Sequence, residues 1–211
     1  MFAASLSKHD PDLNMKYFDV CNGQFPGSLE ECDAYLCTGS RYSVYDDIEW
    51  IHSLKKFVRQ VSAVQLPFVG VCFGHQLLAE ALGGKTARAT QGWGVGIHRL
   101  QIVQSEEWMK PPRTSCALNF MHRDQVQSLP KNGVLLGKTD HCPISMFQVG
   151  QTMLGVQAHS ELSSAYCEAL LSDRIESIGE AKVRRAKLSL EQPADDDVAI
   201  RWIVSFLRSR G

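Results

Sequence analysis

The chain has 211 residues, with 22 Lys and Arg against 23 Asp and Glu and a formal charge of −1. That length suits one domain, residues 1–211, with a sizeable core. No basic run interleaved with aromatics supports nucleic-acid binding, and no apolar stretch is long enough to span a bilayer, so neither partner is expected.

Residues 1–6 already look helical, and 16–20 and 34–37 read as short strands. Over 48–64, apolar residues fall at Ile48, Ile51, Leu54, Phe57, Val58 and Val61, which is a helical period. Residues 67–71 form a short apolar run, a strand, and 75–82 a helix that Gly83-Gly84 ends. This alternation predicts parallel βαβ units covered on both faces. Closely spaced strands follow at 95–103, 117–120, 134–138, 144–149 and 152–156, with turn signals such as Lys131-Asn132-Gly133 between them. Helices return at 162–178, about 179–188 and about 195–208. The cluster Lys182-Val183-Arg184-Arg185-Ala186-Lys187 has helical spacing and reads as a solvated face.

The chemistry-bearing segment is Gly70-Val71-Cys72-Phe73-Gly74-His75-Gln76. A strand that stops at a cysteine and passes directly into a helix is a nucleophile elbow with sulfur in place of oxygen. The turn is tight, and Gly70 and Gly74 supply small neighbours. A thiol at a helix N-terminus is favoured as thiolate, and the Phe73 N–H points to where an oxyanion forms. The competing reading is a buried strand cysteine before a turn; the flanking glycines favour the elbow.

A thiolate needs a base. Of seven histidines, His159 stands out because it closes the 152–156 run and is followed by Ser160 and Glu161. In extended chain, residues two apart share a side, so Glu161 can fix the His159 tautomer. The same H-x-E triplet occurs in zinc deaminases, but those need a P-C-x-x-C that is absent here. His75 reads as structural. The seven cysteines are too scattered for a disulfide framework, and no secretory leader is evident. A reducing, cytoplasmic setting is therefore expected. Cys32 and Cys37 lack zinc-ligand spacing to a second pair, so neither metal nor cofactor is expected.

The elbow and the late Val156-Gln157-Ala158-His159-Ser160-Glu161 resemble the class I, triad-type glutamine amidotransferases. A third segment agrees: Leu36-Cys37-Thr38-Gly39-Ser40-Arg41-Tyr42-Ser43-Val44-Tyr45-Asp46-Asp47 is similar to the family loop that donates a second oxyanion N–H. Gly92-Trp93-Gly94-Val95-Gly96, His122-Arg123-Asp124-Gln125-Val126 and Ser189-Leu190-Glu191-Gln192-Pro193 resemble the stand-alone GMP-synthase-like subgroup. The resemblance implies an α/β, three-layer flavodoxin-like fold: a mostly parallel sheet with helices on both faces and an added antiparallel strand segment. It also implies a triad of Cys72, His159 and Glu161 and an oxyanion hole from Phe73 and Ser40. The substrate pocket would involve Gly39, Gln76, Trp93, Gly94, His122 and Asp124. Trp93 can equally be a packed aromatic under a glycine turn, and His122 to Asp124 a surface turn. Arg41, Met121, Ala158 and Ser160 depart from the family pattern, which bears on pocket shape.

The implied activity is cysteine-dependent hydrolysis of the glutamine side-chain amide through a γ-glutamyl thioester. The chain has no phosphate-cradling G-x-x-x-x-G-K-[ST] or S-G-G-x-D-S run, so it cannot make GMP alone. That leaves a glutaminase serving a separate synthetase, a hydrolase of γ-glutamyl amides or peptides, or a non-catalytic or regulatory relative. Relatives usually open with a strand and a substrate-side loop that have no counterpart here. That predicts an open site with low glutaminase activity and a sheet edge near residues 16–20. A second copy of the chain, as a homodimer, would cover such an edge.

Overall fold

The computed structural model describes residues 1–209. In chain order the elements are α1 (Phe2–His9), β1 (Tyr35–Cys37), α2 (Glu49–Ala63), β2 (Phe68–Val71), α3 (Phe73–Ala81), β3 (Lys85–Arg88), β4 (Gly94–Ile102), β5 (Ser115–His122), β6 (Asp124–Ser128), β7 (Gly133–Lys138), β8 (Met146–Val149), β9 (Met153–Val156), α4 (Ser164–Asp173), α5 (Ile175–Ile178), α6 (Glu180–Ser189) and α7 (Asp196–Arg208). One seven-stranded sheet runs β1-β2-β9-β8-β7-β4-β5, and β3 pairs with β6 in a separate ribbon. β1, β2 and β9 form the parallel core. β8, β7, β4 and β5 continue it as an antiparallel segment. This is the three-layer α/β architecture that the sequence implies.

The strand pattern explains the layers. Along β2, Phe68 packs with Ile51, Leu54, Val58 and Val61 of α2, while Val69 and Val71 pack with Trp202, Ile203 and Phe206 of α7. β9 repeats this, with Met153 on the α2 side and Leu154 and Val156 on the α7 side. Side chains two apart share a face, so a continuous apolar run feeds two cores at once. The four buried residues of α2 recur at helical spacing and form one stripe.

Several expectations are corrected. Residues 16–20 form no strand; Val20–Asn22 is a single 3₁₀ turn. Leu13 and Met15 pack on the α7 side, whereas Val20 and Phe25 pack on the α2 side. The segment therefore passes from one face to the other instead of pairing, and β1 is the edge strand on the parallel side of the sheet. Residues 162–178 are not one helix: the turn is interrupted at Arg174, at φ −103° and ψ 16°, between α4 and α5. The β3–β6 ribbon has no counterpart in the predicted elements. Its strands are polar and mixed in burial, so they lack a clean period.

One contact decides where the elbow sits. A Cβ on Gly70 would overlap the Gly74 carbonyl and lie 2.8 Å from the His75 nitrogen. Strand and helix touch backbone to backbone there, and neither side can yield. Gly70→Ala is expected to lower stability by more than about 2 kcal/mol, read by thermal or urea unfolding. A variant as stable as the parent would show that the close approach is not required.

Candidate active site

β2 ends at Val71, and Cys72 takes φ 53°, ψ −101° before α3 begins. A non-glycine residue in that region is strained and persists only where its surroundings hold it. The Cys72 N–H donates to the Val156 carbonyl at 2.9 Å, and the Gln76 N–H donates to the Cys72 carbonyl at 3.1 Å. Gly74 lies against β1, where an added Cβ would come within 3.0 Å of the Cys37 carbonyl carbon. The sulfur is thus placed at the carboxyl ends of the parallel strands, at the first turn of α3.

His159 follows β9 and reaches the same point. Its backbone N–H donates to the Asn119 carbonyl at 2.8 Å. Its Nδ1 is 2.7 Å from Oε1 of Glu161, and both side chains are at most 10% exposed. The other side of the ring faces Cys72 across Gly39. A Cβ on Gly39 would lie 3.0 Å from His159 Cε1, 3.8 Å from Nε2 and 3.6 Å from the Cys72 Cβ. Burial alone would push the His159 imidazole down. The Cys72 sulfur and the Glu161 carboxylate outweigh it and raise it to about 10. Ser40 comes next after Gly39, its Oγ accepting from the Tyr42 N–H at 3.3 Å.

The expected pocket residues separate into groups. Gln76 is buried, and its amide nitrogen donates to the Asp124 carbonyl at 2.6 Å and to the Gln157 side chain at 3.1 Å. Asp124 is buried and accepts from the Ser43 hydroxyl, so Gln76 and Asp124 tie α3, β6 and the loop after β1 together. His122 is also buried, its ring centroid 5.6 Å from that of His141. Burial first, then His141 and His98, hold it well below the ordinary histidine range. Gly94 makes room for this pair, since a Cβ there would sit 2.5 Å from His141 and 2.7 Å from His122. Trp93 lines a neighbouring pocket of about 280 Å³ with His98, His141 and Lys182; Cys72 and His159 do not line it. Arg123 and Arg174 stand over the Trp93 ring, at 5.9 and 6.0 Å from its centroid. His75 is fully buried beside Phe147, and burial pushes its imidazole down to about 3, as befits a structural histidine.

Sequence reading missed Ser43, Asn119 and Gln157. Ser43 and Gln157 lie inside the quoted motifs, so their position gave a signal; Asn119, in the middle of a strand, gave none. Among the described residues no group of three or more His, Cys, Asp or Glu side chains could hold a metal ion. No helix there is long and apolar enough to cross a membrane.

A parallel α/β core thus carries a cysteine at a strand–helix elbow, with a histidine–carboxylate pair across Gly39 from it. The family described as glutamine amidotransferase class-I matches residues 26–175, and the chain belongs to it. It is 30% identical to γ-glutamyl peptidase 3 of Arabidopsis thaliana over 68% of this chain and 61% of that protein. With γ-glutamyl peptidase 2 of the same plant it shares 27% identity over 92% and 81% of the two chains. A glutamine-hydrolysing GMP synthase subunit from Pyrococcus abyssi is 26% identical over 71% of this chain and 80% of that protein. A glutamine amidotransferase structure from Thermotoga maritima superposes with a TM-score of 0.81 at 17% identity, covering 99% of this chain and 90% of that one, which bears on the fold.

Raising the His159 imidazole links stability to pH. Its charged form contributes stability that is complete below the ordinary value of about 6.5 and is lost as pH rises through about 10. In Cys72→Ala the sulfur is gone and burial regains weight, so the His159 resonances are expected to titrate at lower pH by NMR. A titration unmoved by Cys72→Ala would mean that sulfur and imidazole are not coupled.

Proposed function

We propose that the chain is a cysteine amidohydrolase that cleaves γ-glutamyl amide bonds, glutamine included, through a γ-glutamyl thioester. The observation that carries this reading is the convergence of Cys72, His159 and Glu161 at the strained elbow, with His159 held charged.

The Cys72 thiolate attacks the γ-carbonyl carbon, and the carbonyl electrons move onto oxygen. Phe73 N–H at the start of α3 and Ser40 N–H donate to that oxyanion, each worth about 3 kcal/mol in sites of this kind. His159 gives its Nε2 proton to the departing nitrogen as the C–N bond breaks. It then takes a proton from water, which attacks the thioester, releases glutamate and restores the thiolate. Glu161 holds Nδ1 throughout and keeps the ring turned toward sulfur. Gly39 lies against both the sulfur-bearing Cys72 and the His159 ring, while Gln76 and Asp124 act by holding the loop that carries Ser40.

Two leaving groups fit the chemistry. Ammonia from glutamine, passed to a separate synthetase, is the reading that the likeness to a glutamine-hydrolysing GMP synthase subunit supports. An amine or peptide is favoured by the relatives named γ-glutamyl peptidases, one of which aligns over nearly this whole chain. Assays of the purified protein with glutamine and with γ-glutamyl dipeptides separate the two by rate, and no turnover of either would overturn the proposal.

Cys72→Ala is expected to lower hydrolysis by more than about a thousandfold without unfolding the protein. A diazoketone analogue of glutamine is expected to label Cys72 alone. The other six thiols are less reactive because burial, first among the causes, pushes each of them up. Peptide mapping that found the label on any of those six would remove Cys72 from its role.

A further inference from the structure

Given the hydrolytic role proposed for Cys72, His159 and Glu161, we propose that Asp196, at the start of α7, is a positioning residue that acts on His159 through Glu161. When protonated, its carboxyl donates to the Glu161 oxygen that His159 leaves unused. When ionised, it adds a second negative charge behind the imidazole.

The geometry carries this assignment. Glu161 binds His159 Nδ1 through Oε1 at 2.7 Å, and its side chain is 6% exposed. Its second oxygen, Oε2, is buried with no hydrogen-bond partner, and so is Oδ1 of Asp196. A buried carboxylate oxygen left unpaired is costly, and the Glu161 charge reaches Asp196, so one proton held between the two carboxyls relieves both. The remaining oxygen of Asp196, Oδ2, accepts from the Asn119 side chain at 3.4 Å. Asn119 is also the residue whose carbonyl receives the His159 N–H. The start of α7 is clamped to β5 by two bonds: Asp195 N–H to the Ala117 carbonyl at 2.7 Å, and Ala117 N–H to the Asp195 carboxylate at 2.8 Å. Asp196 is therefore held in place.

The surrounding charges agree. Burial, then Glu161, then Asp195 push Asp196 up, to about 7. Cys167 of α4 faces the same pair, and burial, Asp196 and Glu161 push its thiol up to about 11. Asp197 turns away to Lys8 and His9 of α1 and to Arg201. No cation pairs with Asp196 among the described residues. Below its midpoint Asp196 is neutral and its proton draws on Glu161, which weakens the hold of Glu161 on the imidazolium. Above it, two carboxylates stabilise the imidazolium and with it the thiolate that His159 faces. Reactivity of Cys72 should therefore step upward as pH rises through that midpoint.

The test is the rate at which iodoacetamide alkylates Cys72, followed by mass spectrometry across the neutral range. It needs no substrate, so wild-type protein that shows the step yet hydrolyses no γ-glutamyl amide would sink the functional reading and spare this one. The wild-type profile is expected to carry a step near pH 7. Asp196→Asn keeps the shape but cannot ionise. It should lose the step, matching wild type in acid and falling roughly threefold below it in base. Glu161→Gln provides a second reading: with the neighbouring charge removed, the step should move to lower pH. With γ-glutamyl-4-nitroanilide, kcat/KM should follow the same pattern. A wild-type profile without the step, a step that survives Asp196→Asn, or one that Glu161→Gln leaves in place would each overturn the assignment.

Discussion

The site depends on a backbone held where a side chain ordinarily forbids it. Cys72 sits at positive φ because strand β2 must turn into α3 within a single residue. The turn closes only if Gly70 can touch Gly74 and Gly74 can touch Cys37. Those contacts also place the loop that follows Cys37 beside the sulfur, which is why Gly39 comes so near both Cys72 and His159. The strain is stored in one residue and is balanced by the rigidity of three parallel strands and two buried faces.

Electrostatics sorts chemically identical side chains into different roles. His75, His98, His122 and His141 are all pushed down by burial, while His159 alone among the shifted histidines is pushed up. The difference is the company each keeps. His159 has a carboxylate on one nitrogen and a sulfur at the other side, whereas His122 has two more imidazoles beside it. Burial makes charge expensive in this core, and at His159 that cost is outweighed by a carboxylate and a sulfur.

The antiparallel half of the sheet contributes position more than chemistry. β5 supplies the carbonyl that fixes His159 and the amide that touches Asp196. The ribbon of β3 and β6 supplies Asp124, to which the loop after β1 is tied through Ser43 and α3 through Gln76. Loops that carry reactive groups are held here by buried polar bonds, which are directional, rather than by apolar packing, which is not.

The elbow, the H-x-E pair and the α/β layering could be read from sequence because each is local. Glycine spacing, period-two alternation and an i, i+2 pair express themselves within a few residues, and so Cys72, His159 and Glu161 were visible without coordinates. Three things were not local. Residues 16–20 are as apolar as an edge strand, but whether such a segment pairs or wraps the edge depends on what its neighbours leave free. The polar ribbon has no periodicity to detect. Asp196 reads as an ordinary residue near a helix start, and only the packing of α7 on β5, far along the chain from Glu161, brings its carboxyl within reach of the Glu161 charge. Sequence determined where the elbow and the histidine–carboxylate pair fall; the long-range packing of the sheet decided which buried charges act on one another, because burial and like-charge proximity exist only once distant segments meet.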